Sequence, residues 1–591
     1  GGTGAIDYSY DGSYAAQGPM GHVSSAANVQ AAAERINALI VDALRAGKPV
    51  LTQCHGARLA AFARAPGTAG QGPGGLGLSI LQNRSATGFH LDATTATDYA
   101  SLGVTYLANR NVVVDGPTAA NLAGSAAGVS RVITTRDWYP QTIAHAASAL
   151  LNVLRSYPNV QTLGLVRKVL IIHGGAVTRD VNVCNASNQT TNDVPCNWGT
   201  NWPADYTHLQ TLLAASSTND PYRLNVSNVN LMGPPGSLPF SVNNQSSVLA
   251  YLRGFDVVLY FKHWGTGVTP QLVSAVLQFA DEGGGLVALH HGLFNQGATN
   301  ALVAAFGAES NAGTWAGSTD PLMNPSPVFM NVNHGHFVTG YGTAFDATLV
   351  QPAVGFPAAP TPPNVNPTGY PAYSMGDELY LNMGFIGSPS FGAGVGQVNL
   401  LLANNHVAAP AQTLTAGFSK LYNPSADSTV GRLVYLQSGE TIANYAVTSR
   451  YGQMIRNAVV WASMAKPPCS LDIDSDAQTL AATDGLLVLR QLLGLPDAAL
   501  TPGAHNPAGL RTSASAVRSH TQTMIDNRAL DLDGDDQVNA ASDGLMLLRI
   551  LLGFTGSAVT SGAVSNAPSA TRTTWDAIRP YLNGVCGMGL L

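Results

Sequence analysis

One internal duplication constrains this 591-residue chain more than any other feature of its sequence. The segment LDIDSDAQTLAATDGLLVLRQLLG begins at Leu471, and its near copy LDLDGDDQVNAASDGLMLLRILLG begins 59 residues later, at Leu530. The likeness continues beyond both segments, as AALTPGA in the first copy and SAVTSGA in the second. We therefore expect residues 469–591 to form a small domain from two copies of one unit, each an acidic loop followed by a helix.

Each copy places three aspartates at alternate positions, so a tight loop can direct all three carboxylates at one cation. These aspartates are Asp472, Asp474 and Asp476 in the first copy and Asp531, Asp533 and Asp535 in the second. Carboxylate and carbonyl oxygens are the ligands that Ca²⁺ prefers. The predicted ligand sets are completed by the backbone carbonyls of Gln478 and Gln537 and the carboxylates of Asp484 and Asp543. The alternative is a solvated acidic turn that holds no ion.

Both loops resemble the EF-hand loops of dockerin modules, which implies an all-α module that binds two calcium ions. The two copies depart from the usual spacing in the same way. Position twelve of the loop is Thr483 or Ser542, and the carboxylate of Asp484 or Asp543 follows it. Because the offset is identical in both copies, we predict a loop that is one residue longer than usual.

The composition favours a secreted or cell-surface protein. Hydrophobic residues make up 45% of the chain and charged residues only 10%, so Ser, Thr, Asn, Gln and Gly must hydrate the surface. The formal net charge is −6, and no run of Lys or Arg offers a footprint for nucleic acid. No apolar stretch reaches the roughly 18–20 residues that a membrane span needs. We therefore expect neither nucleic acid nor a membrane span.

The five cysteines are most simply counted as two disulfides and one free thiol. Cys184 and Cys196 flank one loop, Cys469 and Cys586 bracket the C-terminal domain, and Cys54 is left over. Disulfides persist in oxidising compartments, where a leftover cysteine is a candidate reactive thiol. The alternative is a cytosolic protein with five reduced, buried cysteines.

Residues 1–158 alternate predicted strands and helices, which favours a parallel α/β sheet. Several of their motifs, namely CHG at 54–56, SATGFHLD, NVVVDG and VITTRDWYPQTIAHAASALL, resemble the PfpI-type members of the class I glutamine amidotransferase-like superfamily. The resemblance implies Cys54 as a nucleophile at a strand-to-helix elbow, with His55 as a base beside it. A helix N-terminus at such an elbow favours an exposed thiolate. The first strands of that family are not found before residue 1, so we expect self-association or another N-terminal segment to complete the sheet.

Residues 166–466 predict a second α/β domain, whose part over about 320–440 is rich in Pro, Gly and Asn and is predicted to be mostly loop. VLIIHGG, FDVVLYFKHWG, FADEGGGLVALHHG, GDELY and GRLVYLQSGE resemble the ThuA family. This resemblance implies sugar-related chemistry at the carboxyl edge of a parallel sheet. The candidate catalytic residues are His290, His291, Asp377 and Glu378, and the candidate substrate-binding residues are His173, His263, Trp264 and His336.

The sequence thus predicts two flavodoxin-like, doubly wound α/β domains followed by a small all-α calcium-binding module. We expect a secreted or cell-surface bacterial protein that binds two Ca²⁺ ions and needs no nucleotide or redox cofactor. Its ThuA-like domain is expected to act on a carbohydrate, an oxidised sugar derivative or another small molecule by acid–base chemistry. One alternative is a peptidase or deglycase that depends on Cys54. Another is a non-catalytic extracellular protein of structural or assembly function.

Overall fold

The structure is a computed structural model. It describes residues 5–16, 24–118, 120–122, 130–174, 203–215, 222–231, 233–234, 236–262, 267–293, 300–310, 328–331, 333, 335–343, 346–351, 370–375, 383–387, 389–404, 415–426, 430–438, 442–465 and 469–590. The chain divides into two compact units. The N-terminal unit comprises Gly1–Val160, Val169–Asp220 and Val226–Ala465. The C-terminal unit comprises Gln161–Lys168, Pro221–Asn225 and Lys466–Leu591.

The first part of the N-terminal unit is a small mixed α/β arrangement. Its elements are α1 (Ala26–Arg45), β1 (Val50–Thr52), α2 (Gly56–Ala61), β2 (Ser85–Ala86), α3 (Thr95–Ser101), β3 (Thr105–Tyr106), β4 (Val112–Asp115), β5 (Val132–Thr135) and α4 (Pro140–Ser156). Ser25 caps α1 by accepting a hydrogen bond from the backbone N–H of Asn28 at 3.1 Å, a common helix start. The sheet order is β1-β5-β4, in which β1 pairs with β5 in parallel and β4 pairs with β5 antiparallel.

The rest of the N-terminal unit is organised around a large sheet. The next elements along the chain are β6 (Val166–Gly174), α5 (Pro203–Ala214), β7 (Arg223–Asn230), α6 (Gln245–Leu252), β8 (Val257–Lys262), α7 (Pro270–Asp281), β9 (Gly285–Leu289), α8 (Asn300–Phe306), β10 (Ala308–Ser310), β11 (Val328–Asn331), α9 (Phe337–Gly340), β12 (Asp346–Gln351), β13 (Tyr370–Ser374), β14 (Met383–Phe385), β15 (Val398–Asn404), β16 (Thr415–Tyr422), β17 (Gly431–Leu436) and α10 (Arg450–Ser463).

This sheet has ten strands in the order β12-β13-β11-β15-β16-β17-β9-β8-β6-β7. Strands β6, β8, β9 and β17 pair with one another in parallel, so their carboxyl ends meet at one edge. Strands β11, β12, β13, β15 and β16 extend the sheet on the other side of β17 by antiparallel pairing. Strand β9 is buried along its whole length, as expected for the centre of a covered sheet.

The α/β class predicted from the sequence is confirmed, but the predicted detail is not. The first sheet has three strands among the described residues and contains an antiparallel pair, so it is not doubly wound and parallel. Within the region over about 320–440, the residues that the structure describes are not mostly loop, because strands β11 to β16 lie there. No helix among the described residues is long and apolar enough to cross a membrane.

From Cys469 onward, the described elements of the C-terminal unit are all helical. They are α11 (Leu486–Leu492), α12 (Asp497–Leu500), α13 (Ala514–Asp526), α14 (Leu545–Leu551), α15 (Ser557–Thr560) and α16 (Trp575–Cys586). The two copies pack against each other through equivalent residues. A Cβ added at Gly485 would lie 3.1 Å from side-chain atoms of Leu548 and Leu551, and a Cβ at Gly544 would lie 3.1 Å from those of Leu489 and Leu492.

A disulfide joins Cys469 to Cys586, the pairing expected from the sequence. Cys54 is a free, buried thiol. The predicted partners Cys184 and Cys196 lie outside the described residues, so that disulfide stays a prediction.

Candidate functional site

The two acidic loops of the C-terminal unit bring their aspartates together. In the first loop, ligand atoms of Asp472, Asp474 and Asp476 all lie within 4.8 Å of one another, and the equivalent three aspartates of the second loop do the same. Each loop also orients these carboxylates by hydrogen bonds from its own backbone. The N–H of Asp476 donates to Oδ1 of Asp472 at 3.0 Å, and the N–H of Asp535 donates to Oδ1 of Asp531 at 3.1 Å.

The middle aspartate of each loop carries one buried oxygen that no hydrogen bond satisfies. Asp474 and Asp533 are fully buried, and Oδ1 of each has no hydrogen-bond partner among the described residues. The second oxygen of each is occupied: Oδ2 of Asp474 accepts from the N–H of Asn506 at 2.7 Å. A buried carboxylate oxygen without a partner costs free energy, and this arrangement is repeated in both copies.

Asp484 and Asp543 hold the loops closed in this structure. Oδ1 of Asp484 accepts from the N–H of Ile473 at 2.5 Å, and Oδ2 accepts from the N–H of Leu480 at 2.8 Å. Oδ1 of Asp543 accepts from the N–H of Leu532 at 2.7 Å, and Oδ2 accepts from the N–H of Asn539 at 2.8 Å. Both carboxylates therefore tie the start of the loop to its end, whatever they contribute to a bound ion.

Each loop is predicted to be one residue longer than usual. A π turn at the start of the following helix can accommodate that residue. The turns span Ala481–Gly485 and Ala540–Gly544. In them, the N–H of Gly485 donates to the carbonyl of Leu480 and the N–H of Gly544 donates to that of Asn539. Such π turns are frequent at functional sites because they accommodate one inserted residue without breaking the helix.

Burial raises the pKa values of several carboxyls in these loops. The pKa of Asp474 is raised by burial first and then by the neighbouring carboxylates, and that of Asp531 is raised by burial. Burial also raises the pKa of Asp543 to about 6. These shifts reflect mainly the cost of burying a charged carboxylate.

Gln478 and Gln537 occupy equivalent places in the two loops. The N–H of Gln478 donates to Oδ1 of Asp476, and that of Gln537 donates to Oδ1 of Asp535, both at 2.8 Å. These bonds orient one carboxylate oxygen in each loop. The role of the two carbonyl groups as ligands stays a prediction.

Sequence analysis missed a second layer of residues that wraps each loop. The guanidinium of Arg511 donates through Nε to the carbonyl of Ile473 at 2.8 Å, and that of Arg572 donates to the carbonyl of Leu532 at 2.9 Å. The N–H of Ser565 donates to Oδ2 of Asp533 at 2.8 Å, as that of Asn506 does in the first copy. The signal was present, because Asn506 and Ser565 are 59 residues apart, like the loops themselves.

In the N-terminal unit, His173 and His290 lie at the carboxyl ends of parallel strands. His173 is the second-last residue of β6, and its Nε2 lies 3.3 Å from Oδ1 of Asn228 in β7. His290 follows β9 directly and is 1% exposed. His263, Trp264, Asp377 and Glu378 lie outside the described residues, and His291 is described only as part of a short helical turn, His290–Leu293.

His290 is held in a fixed orientation. Its backbone φ is 50°, a left-handed conformation that is uncommon for a residue other than glycine. Its Nδ1 lies 3.0 Å from the carbonyl oxygen of Gln437, which follows β17. Since a carbonyl oxygen only accepts, Nδ1 is the donor in this hydrogen bond.

The structure does not place His336 with these histidines. His336 caps α9 by accepting at Nδ1 from the N–H of Val338 at 3.2 Å, and its ring packs 5.1 Å from that of Trp461 in α10. Burial first, and then the Arg432 guanidinium, lower the pKa of His336 to about 3. His336 is thus a neutral, buried side chain in a different part of the unit.

Cys54 forms an elbow, but its thiol is neither exposed nor activated. Its φ is 57° between β1 and α2, and its backbone N–H donates to Oγ1 of Thr135 at 3.1 Å. Sγ lies 3.3 Å from Nδ1 of His55, as expected for a paired base. However, the side chain is 5% exposed, and burial, followed by the charge of Asp137, raises the pKa of the thiol. Burial also lowers the pKa of His55. The predicted exposed thiolate is therefore wrong.

The Cys54 elbow borders a small pocket of about 10 Å³ that is also lined by Phe89 and Asp92. Phe89 packs on the His55 ring with a centroid separation of 4.2 Å. The aromatic contact covers the imidazole and explains part of its burial. The catalytic role of Cys54 and His55 stays a prediction.

Comparison with known proteins gives little further guidance. No protein-family model matches this chain, and no curated protein matches it. A ThuA-like protein from Bacteroides uniformis ATCC 8492 is 13% identical with a TM-score of 0.28, and the match covers 50% of this chain and 92% of that one. A ThuA-like protein from Parabacteroides merdae ATCC 43184 is 13% identical with a TM-score of 0.30, and the match covers 51% of this chain and 91% of that one. Likeness at this level assigns no activity.

Proposed function

We propose that this protein binds calcium through its C-terminal unit, with one ion in each acidic loop. The observation that carries the proposal is the pair of buried oxygens, Oδ1 of Asp474 and Oδ1 of Asp533, each without a hydrogen-bond partner among the described residues. Both belong to a group of three carboxylates whose ligand atoms lie within 4.8 Å of one another. Asp472, Asp476, Asp531 and Asp535 would complete the two carboxylate groups.

The chemistry of the ligand set favours calcium over other divalent metals. Each cluster offers carboxylate oxygens and contains neither histidine nor cysteine, which argues against zinc. Magnesium usually keeps several of its waters and is bound by only one or two carboxylates, whereas calcium takes six to eight oxygen ligands. Three converging carboxylates on a twelve- or thirteen-residue loop therefore fit Ca²⁺ best.

Calcium removal is expected to loosen the C-terminal unit selectively. Without a cation, like charges face one another in each loop, so ion binding is coupled to the stability of the fold. At a hundredfold excess of free calcium over the Kd, each site would stabilise the unit by about 2.7 kcal/mol. Hydrogen exchange of the full chain, with calcium and with EDTA, measures this effect. Faster exchange in EDTA is expected in peptides from 469–590 and not in those from β8, β9 and β17.

Isothermal titration with Ca²⁺ counts the sites. The intact protein should bind two ions, and Asp474→Ala and Asp533→Ala should each bind one. Asp576→Ala, which removes an exposed carboxylate elsewhere in the unit, is the matched control and should bind two. Absence of heat with the intact protein, together with hydrogen exchange that EDTA does not alter, would exclude calcium binding.

A second function is favoured by the geometry of His290. We propose that the N-terminal unit acts on a carbohydrate or an oxidised sugar derivative, with His290 as a general base. The supporting observation is the place of His290 directly after β9, with Nδ1 donating to the carbonyl of Gln437 at 3.0 Å. A positioned histidine of this kind contributes about 10²- to 10⁴-fold to a rate. Asp377 or Glu378 is proposed as the acidic partner.

The test compares three variants on a panel of monosaccharides, sugar lactones and keto-sugars followed by NMR. His290→Ala is expected to lower turnover at least about 100-fold, and Cys54→Ser is expected to leave it unchanged. His145→Ala, at a partly buried histidine of this unit, is the control for nonspecific damage. Loss of turnover in Cys54→Ser alone would instead favour the peptidase or deglycase function. Full turnover in His290→Ala would refute the role of His290.

A further inference from the structure

Two short segments that are distant from the acidic loops in sequence belong to the C-terminal unit. They are Gln161–Lys168 and Pro221–Asn225, and they include the first residues of strands β6 and β7. Leu165 is 4% exposed and belongs to the same hydrophobic core as Leu530 and Leu532 of the second copy. The starts of both strands are therefore part of the unit that carries the acidic loops.

The start of β6 contacts the residues just before the second acidic loop. The backbone N–H of Val166 donates to the carbonyl of Asn527 at 3.0 Å. Two residues further on, Nζ of Lys168 donates to Oδ2 of Asp526 at 2.6 Å, and both side chains are partly exposed. One backbone hydrogen bond and one ion pair thus join the start of β6 to the entry of this loop.

The start of β7 contacts the second acidic loop itself. Nη1 of Arg223 donates to Oδ1 of Asp536 at 2.8 Å, and Nη2 donates to Oδ2 at 3.4 Å. The backbone N–H of Asp536 donates in turn to Oδ2 of Asp531, one of the predicted calcium ligands, at 3.1 Å. A change at the Asp531 carboxylate would therefore reach Arg223 through a single residue.

The first copy lacks both carboxylates that form these ion pairs. The residues 59 positions before Asp526 and Asp536 are Pro467 and Ala477. Ala477 and Asp536 have the same φ of 68°, so the two loops share this backbone conformation and differ in the side chain. The two copies thus differ at the positions that pair with Lys168 and Arg223.

We propose that calcium in the second acidic loop, and not in the first, controls the order of the starts of β6 and β7. The inference rests on the proposed calcium sites and adds a regulatory role to one of them. Without the ion, repulsion among Asp531, Asp533 and Asp535 loosens the loop and, with it, the contact between Asp536 and Arg223. Ion binding removes this repulsion, so the loop and the two strand starts gain order together.

Hydrogen exchange of the full chain, in saturating calcium and in EDTA, tests the proposal. Amides of residues 165–168 and 222–225 are expected to exchange several-fold more slowly in calcium, with an upper bound of about 100-fold when free calcium is about a hundredfold above the Kd. Asp533→Ala should abolish this difference in both segments, whereas Asp474→Ala should preserve it. Equal loss in the two variants, or loss in Asp474→Ala alone, would overturn the assignment to the second loop.

Arg223→Gln tests the ion pair directly. Since Arg223 is half-exposed, the variant is expected to fold even where Asp533→Ala does not. It should reduce the calcium-dependent slowing in 222–225 by about two- to fivefold, the effect of one exposed ion pair, with a smaller effect in 165–168. Arg253→Gln, which breaks an exposed ion pair with Glu282, is the matched control and should change neither segment. If Arg223→Gln behaves like Arg253→Gln, the proposed coupling is wrong.

Failure of this inference is distinguishable from failure of calcium binding. If isothermal titration shows two bound ions and neither strand start responds to EDTA, the calcium sites stand and the regulatory role is wrong. If the titration shows no bound calcium, both the sites and the regulatory role are wrong.

Discussion

Two side chains in the N-terminal unit share an uncommon backbone conformation but differ in what their surroundings allow. Cys54 and His290 both have positive φ values, 57° and 50°, just beyond the end of a strand. Such a conformation costs about 1–3 kcal/mol and persists only where neighbouring structure imposes it. Burial raises the pKa of the Cys54 thiol, which opposes nucleophilic chemistry. His290 is instead held by the contact of its Nδ1 with the carbonyl oxygen of Gln437.

At the same scale, His336 makes the stability of the N-terminal unit depend on pH. Its folded pKa of about 3 lies below the ordinary value of 6.5, because the ring is buried. Between these values the unfolded chain binds a proton that the folded chain does not, so the free energy of unfolding falls as the pH is lowered from about 6.5 toward 3. The stabilisation present above pH 6.5 and lost by pH 3 is on the order of 5 kcal/mol.

His336→Asn tests this dependence. Asparagine keeps an acceptor for the N–H of Val338 at the start of α9 but does not titrate. Urea unfolding followed by tryptophan fluorescence at about pH 7 and about pH 4.5 gives the difference in unfolding free energy. The difference should be smaller in the variant than in the intact protein. An unchanged difference would show that His336 does not titrate on unfolding.

At the scale of elements, the helix–helix contact between the two copies depends on glycine. Gly485 has helical φ and ψ, so its importance comes from the space it leaves for Leu548 and Leu551. Overfilling a packed contact of this kind typically costs about 1–3 kcal/mol. Gly485→Val should therefore lower the free energy of unfolding of the C-terminal unit by that amount. Ala498→Val, at an exposed position of α12, should change it by less than about 0.5 kcal/mol.

Differential scanning calorimetry of the full chain in saturating calcium measures both variants, and hydrogen exchange within residues 469–590 assigns the affected transition. If Gly485→Val is as stable as Ala498→Val, the two leucines move aside without cost. The same experiment on Gly544→Val tests the symmetry of the contact, because its Cβ would meet Leu489 and Leu492 at the same distance.

Elements with strong local patterns were predictable from the sequence, and those defined by distant partners were not. The apolar runs RKVLIIHGG and GGGLVALHHG form β6 and β9, and their burial follows from their composition. Strand β15, by contrast, pairs with β11 and β16 and changes register after Leu400. Its place in the sheet depends on residues far along the chain. Because the surrounding sequence is rich in Pro and Gly, the strand was not predicted.

The candidate sites follow the same rule. The aspartates of each acidic loop are close in sequence, so their spacing alone predicted that their carboxylates would converge. By contrast, three hydrogen bonds join the side chains of Asn152, Asn333 and Asn399, which no local sequence pattern connects. Likewise, nothing near His336 in the sequence indicated that Trp461 would pack on its ring. Sites assembled from several distant elements require the tertiary fold.

At the scale of the whole molecule, the structure has two compact units, and the first contains both segments that the sequence predicted to be α/β domains. Side chains join these segments within the unit. Oγ of Ser156 in α4 accepts from the N–H of Phe337 at 2.8 Å, and the Arg131 guanidinium lies 4.2 Å from the Tyr157 ring and 5.7 Å from that of Tyr341. Residues from both segments therefore pack together within one unit.

The Cys469–Cys586 disulfide closes the C-terminal region into a covalent loop. The two cysteines are 117 residues apart, and both acidic loops lie between them. A protease that cuts once anywhere inside this loop releases no fragment, and the nicked chain gains only the mass of one water. The break becomes visible when the disulfide is reduced and the chain separates in two. For a protein outside the cell, the disulfide would therefore keep both parts of the module attached to each other after a first cleavage.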